Sequence, residues 1–101
     1  MALKTTRYDT ADYLDSPEAI AAYIDAVFED GDPALITHAL GVVARAHGMS
    51  QIARDSGLSR ESLYRALGPD GNPEFGTVVR VLKALGLRLT AVPRDASTSA
   101  S

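Results

Sequence analysis

The sequence has no cysteine and no tryptophan, and its aromatic residues are two phenylalanines and four tyrosines among 101 positions. Without thiols, neither disulfides nor thiolate metal sites can form. The two histidines, His38 and His47, lie nine residues apart, the wrong spacing for two ligands on one helix face. No metal and no cofactor is therefore expected. No apolar run approaches the roughly 20 residues that span a bilayer, and Met1-Ala-Leu-Lys-Thr-Thr-Arg7 is not followed by the apolar stretch of a signal peptide. The expectation is a cytoplasmic protein with no membrane attachment. Glycine-rich phosphate loops, nucleophile elbows and histidine–acid clusters are also missing, so no enzyme is expected.

Positive charge is scarce too. Ten Lys and Arg face thirteen Asp and Glu, a net charge of −3, which argues at first sight against nucleic acid, because affinity for a duplex comes largely from cations neutralising phosphates. The distribution says more than the sum. Residues 1–35 hold eight acids, among them Asp9, Asp12, Asp15, Asp25 and Glu29, against only Lys4 and Arg7, whereas residues 36–101 hold eight bases against five acids. One half is suited to solvent or a cationic partner and the other to an anion.

What is present is helical punctuation within a length that suits one domain. Ser16-Pro17-Glu18 combines a serine cap, a proline at the first helical position and an early acid. Behind it Ile20, Tyr23, Ile24, Val27 and Phe28 recur as one buried stripe that Asp30-Gly31-Asp32 ends. Asp32-Pro33 repeats the signal for a second helix with Leu35, Ile36, Ala39, Leu40, Val42 and Val43 as its apolar face. Ser50 is read as the cap of a short third helix that Gly57 ends, and Ser59 as the cap of a fourth that runs to Leu67. A loop rich in breakers, Gly68 to Pro73, precedes a fifth helix from about Glu74 to Leu85, with Gly86 just past its end. The fold expected is all-α, with residues 1–15 as an arm containing a short helical turn near residues 9–14, residues 16–93 as the domain, and residues 94–101 as a disordered tail.

Leu87-Arg88-Leu89-Thr90-Ala91-Val92 alternates in the manner of a strand. No second strand exists in the chain to pair with it. Either the same strand of a second copy pairs with it, making a two-fold homodimer through Leu87, Leu89, Ala91 and Val92, or the segment is an extended tail lying on the helices.

The stretch from Met49 to Leu67 carries the functional signal. Ala53 is small where two helix axes approach, Gly57 supplies a turn four residues later, Leu58 plugs the corner, and Ile52, Leu63 and Leu67 face inward. That pattern assembles a helix-turn-helix whose second helix enters the major groove of double-stranded DNA. The groove-facing residues are then Ser59, Arg60, Glu61, Ser62, Tyr64 and Arg65. Arg60 suits guanine, Glu61 suits cytosine or holds Arg60, and Ser62 suits base or phosphate, while Tyr64 and Arg65 suit phosphates. Ser50, Gln51 and Asn72 are placed for backbone contacts. The plainer alternative is an exposed helix solvated by Arg60 and by an i, i+4 pair of Glu61 with Arg65.

A wider pattern runs through Tyr8 to Leu14, Ala19-Ile-Ala-Ala-Tyr23, Gly31-Asp-Pro-Ala34, Gly48-Met-Ser-Gln-Ile-Ala-Arg54, Gly57 to Leu67, Gly71-Asn-Pro-Glu-Phe75 and Val81 to Leu89. Through these residues the chain resembles the probable addiction-module antidote proteins, also labelled DNA-binding prophage proteins, helix-turn-helix antitoxins of the HigA-like kind. The resemblance implies a lambda-repressor-like helical domain, a dimer on a palindromic operator, and a small toxin as partner, which the antidote neutralises while repressing their shared operon. It does not mark the toxin contacts. For those, the acids Asp9, Asp12, Asp15, Asp25 and Glu29 are the expectation. Met49 departs from the glutamine that many such repressors place at the start of the supporting helix, with Gln51 two residues later. Two other functions fit the same residues, a stand-alone prophage regulator without a toxin and a protein-interaction module that no longer binds DNA.

Overall fold

Ser16 and Asp32 each start a helix whose first residue is proline. The Ser16 hydroxyl accepts from the Ala19 amide at 3.1 Å and the Asp32 carboxylate from the Ala34 amide at 3.0 Å, so one amide with no helical partner is satisfied at each start. These caps open α1 (Pro17–Asp30) and α2 (Pro33–His47) in the computed structural model, which describes residues 14–94. Three shorter helices follow, α3 (Met49–Ser56), α4 (Arg60–Ala66) and α5 (Phe75–Ala84), and among the described residues all regular structure is helical.

The core is one apolar cluster fed by every helix. Ile20 and Ile24 come from α1, Ala39, Leu40, Val43 and Ala44 from α2, Met49 and Ile52 from α3, Leu63 from α4, and Val81 and Leu82 from α5. No polar or charged side chain is buried among the described residues. Hydrophobic burial is thus the chief force setting the helices against one another, with α1 on α2 and α3 packed on α2, α4 and α5.

Two glycines let backbones meet. A Cβ on Gly41 of α2 would lie 2.9 Å from the Leu67 carbonyl at the end of α4, and one on Gly71 would run into the Ala66 carbonyl. The loop after α4 therefore folds back on the helix end, and α2 closes against it. At the far end of the chain α5 finishes in a Schellman arrangement. The Gly86 amide bonds the Lys83 carbonyl at 3.0 Å, the Leu87 amide bonds the Leu82 carbonyl at 2.8 Å, and Gly86 sits at φ +84°. Leu87 is thereby laid, half-buried, against the core.

Three expectations need correction. Ser50 does not cap α3: the helix begins at Met49 behind Gly48, and Ser50 is already inside its first turn. Met49 is 6 % exposed, and anchoring this apolar side chain in the core pulls the helix start forward. Phe28 and Leu35, placed on buried stripes by their spacing, are 36 % and 42 % exposed, because the neighbouring helices cover only part of each stripe. Residues 87–92, expected to form a strand with a second copy, run without regular structure to residue 94 in the single copy described, which offers no ladder partner. Apart from Leu14, which is buried and not helical, the helical turn expected near residues 9–14 lies outside the described residues, as does the tail beyond Arg94.

The glycine geometry makes a paired prediction. Gly71→Ala should lower unfolding stability by about 2 kcal/mol or more through the forced backbone shift. Gly76→Ala in α5, where a Cβ meets nothing within 4 Å, should raise it by up to about 1 kcal/mol through helix propensity. Urea denaturation of the two variants checks both signs.

Candidate nucleic-acid interface

The presented surface of α4 follows from what the helix buries. Leu63 is fully buried and Leu67, just past the helix end, is 3 % exposed. With those two residues inward, Arg60, Glu61, Tyr64 and Arg65 face solvent and Ser62 lies half-buried at the margin. The turn ahead of α4 fixes how it leaves α3. Gly57 sits at φ +78° with its amide on the Ala53 carbonyl at 3.0 Å, a left-handed conformation that suits glycine. Ser56 then turns its hydroxyl to the Leu58 amide at 3.3 Å, and Leu58 packs half-buried against the core beside Ala53.

Ser59 is the cap of α4, as the sequence indicated. Its hydroxyl accepts from the Ser62 amide at 3.0 Å and donates to the Ser62 hydroxyl at 2.9 Å, so the two serines form one polar unit at the helix start. The rest of the exposed face is organised by pairs one turn apart. The Arg60 guanidinium rests over the Tyr64 ring, 5.7 Å from its centroid, and Arg65 lies 4.0 Å from the Glu61 carboxylate. Glu61 thus partners Arg65, and it is the aromatic ring of Tyr64 that supports Arg60. Both arginines are exposed, and the ion pair that holds Arg65 is open to solvent and therefore weak.

The α3 residues are arranged differently. Ser50 is exposed with no side-chain hydrogen bond among the described residues, at a helix start that has no side-chain cap. Gln51 is engaged on its own helix, donating to Asp55 at 2.9 Å and accepting from Arg54 at 2.9 Å. Each bond uses half of the capacity of the amide atom that makes it, so one N–H and one carbonyl lone pair are left over for a further group. Asn72 is exposed in the loop before α5. Together with Ser62, Arg65 and Thr77 it lines an open depression of about 360 Å³ between α4 and the start of α5.

Thr77 lines that depression, and the sequence reading passed over it. Phe75, at the first position of α5, is 71 % exposed, an unusual position for a large apolar ring. The signal available was the Pro73-Glu74 approach to a helix start directly after the loop carrying Asn72. Asp70 and Glu74 lie on the same rim, so the depression carries charges of both signs. Of the residues expected at a dimer contact, Leu87 is half-buried on its own core, Leu89 is 40 % exposed, Val92 is 76 % exposed and Ala91 is exposed. Among the described residues no group of acids and histidines is assembled to hold a metal ion, and no helix is long and apolar enough to cross a membrane.

Residues 4–93 match the family described as probable addiction module antidote protein. The chain belongs to this antidote family. A protein of Haemophilus influenzae, itself named only as uncharacterized, is 51 % identical over 81 residues, spanning 80 % of this chain and 84 % of its own length. No solved structure matches the chain. Antidote membership supports a role in an addiction module, with a cognate toxin as partner and a regulatory rather than catalytic activity.

The caps of this antidote's α3 and α4 separate in one experiment. Ser59→Ala should cost about 1 kcal/mol of stability, the usual worth of a cap hydroxyl. Ser50→Ala, which removes no capping bond, should stay within about 0.5 kcal/mol of the parent. An equal loss in both would contradict the capping seen here.

Proposed function

We propose that this antidote is also a DNA-binding repressor of its own operon, acting as a homodimer that inserts α4 into the major groove and neutralises the cognate toxin. The observation that carries the reading is the split surface of α4. Its two inward leucines lock the helix down, and its outward face joins a capped serine pair to two accessible arginines. An exposed helix with no partner has no physical need for that combination.

The chemistry assigns roles. Arg60, at the first position of α4 where groove-entering helices meet base edges, has the fork geometry for guanine O6 and N7, and the Tyr64 ring keeps it extended along the helix. Glu61 accepts from cytosine or holds Arg65 for a phosphate. Ser59 and Ser62 donate to base or backbone. Ser50 and Gln51, on the uncapped start of α3, and Asn72, on the loop beside α4, fix the protein on phosphates. The net charge of −3 leaves a single copy poorly suited to a polyanion. Pairing two copies doubles the phosphate contacts and sets the two α4 helices about one DNA turn, ~34 Å, apart. Pairing of the segments 87–92 about a two-fold axis supplies that dimer.

The toxin falls to the acidic side. Asp15 and Glu29 are exposed on and beside α1, where Glu18 and Asp30 add further negative charge and no lysine or arginine intervenes before Arg45. Asp9 and Asp12 precede the described residues, and Asp25 lines a groove against the segment that follows α5. An acidic face of this kind favours association with a cationic protein surface.

Fluorescence anisotropy on a duplex from the gene's own upstream region tests the DNA reading. Arg60→Ala should weaken binding by about 1–3 kcal/mol and relax the preference for that duplex. Arg65→Ala should weaken binding to all duplexes alike and lower the salt slope by about one. If the folded parent shows no preference for its own duplex, the interaction-module reading replaces this one. For the toxin side, Asp15→Lys combined with Glu29→Lys should weaken binding to the product of a short neighbouring reading frame about ten-fold. Unchanged affinity, measured by calorimetry, would remove the acidic face from the proposal, and absence of any such reading frame would favour the stand-alone prophage regulator.

A further inference from the structure

Alongside α1 runs an open groove of about 400 Å³ whose other wall is the segment that leaves α5. Ile24 and Phe28 of α1 and Leu82, Leu87 and Leu89 form its apolar lining, and Asp25 and Arg88 stand on its two walls. Asp25 and Arg88 are both exposed, and among the described residues the one ion pair is that of Glu61 with Arg65. The backbone of residues 88–94 makes no hydrogen bond among the described residues. One region thus combines an apolar groove, two opposite charges that do not pair with each other, and a segment without regular structure whose backbone donors and acceptors are unused among the described residues.

We propose that the groove is filled by residues 88–92 of a second copy, exchanged about a two-fold axis, so that Arg88 of each chain faces Asp25 of the other. The proposal rests on the dimer reading above and adds to it the surface that receives the segment. Two arguments select a second copy as the occupant. The charges are self-complementary: a two-fold operation that brings one Arg88 to the opposing Asp25 brings the other pair together as well. The order of elements is also consistent, since a partner segment lying between α1 and the chain's own segment gives the sequence α1, partner segment, own segment, partner α1, which reads the same from either copy. In that order the two segments lie side by side and satisfy each other's backbone groups as an antiparallel ladder. The Leu89 and Phe28 side chains, left partly open in a single copy, gain apolar neighbours from the partner.

The absence of native cysteine makes the test direct. Asp25→Cys and Arg88→Cys proteins are prepared separately, mixed and oxidised, so that a bond between the two positions can form only between copies. A disulfide-linked species at twice the chain mass of 10.7 kDa, formed in the mixture and not by either protein alone, is the expected result. In sedimentation equilibrium, Asp25→Arg or Arg88→Asp should weaken the dimer about ten-fold or more, and the two together should restore it to within a few-fold of the parent. A parent that sediments as a dimer while the mixture fails to cross-link overturns the groove assignment and leaves the dimer standing. That outcome also covers filling of the groove by residues 1–13 or 95–101 of the same chain. A parent that stays monomeric across the concentration range overturns the dimer reading itself.

Discussion

The structure depends on the burial of Leu63 and Leu67 in the cluster that holds Ile52, with the Leu67 carbonyl close against Gly41 in the middle of α2. A helix of seven residues is far too short to persist alone, since isolated helices below about 12 residues are marginal in water. What holds α4 in place is its inward side, with Leu63 and Ile52 fully buried and Gly41 letting α2 reach the Leu67 carbonyl. Fixing those contacts fixes which way Arg60, Tyr64 and Arg65 point. The surface that α4 presents is therefore a consequence of the core, and a change in the core reaches it without touching any exposed residue.

Much of this was legible because it is local chemistry. Ser16-Pro17, Asp32-Pro33, Gly57, Ser59 and Gly86 mark helix ends through groups within a few residues of one another, and the structure uses each as its residue type suggests. Ser50 misled because a good capping residue competes with a long-range demand, the burial of Met49, that no local pattern displays. Phe28 and Leu35 misled for a related reason: helical spacing shows that a stripe is apolar but not how far a neighbour extends over it. The segment 87–92 has a strand's alternation and no strand, because a strand is a relation between two segments and one copy supplies only one. At the site, the exposed face of α4 could be read from spacing once Leu63 and Leu67 were set inward. Thr77 could not, since the loop through Gly71 brings it beside that face, and the loop's path rests on a backbone contact between Gly71 and Ala66.

The uneven charge of the chain finds a physical account in this arrangement. Acids concentrate along and before α1, whereas arginines concentrate on α3, α4 and α5 and beyond them. An antidote that also represses must meet a protein and a polyanion without the two competing for the same surface. Separating the signs on different helices allows both, and keeps the acidic helix from repelling phosphate at short range. On the proposed reading the cost is a low net affinity for DNA per copy, which would give association of two copies a part in the function.

The most direct test of the central claim is a residue-resolved map of amide chemical shifts in the labelled protein as its own upstream duplex is added. The account predicts changes concentrated at the start of α4, at the start of α3 and around Asn72, with α1 little altered. Changes confined to α1, or none at all with a folded protein in excess duplex, would contradict it.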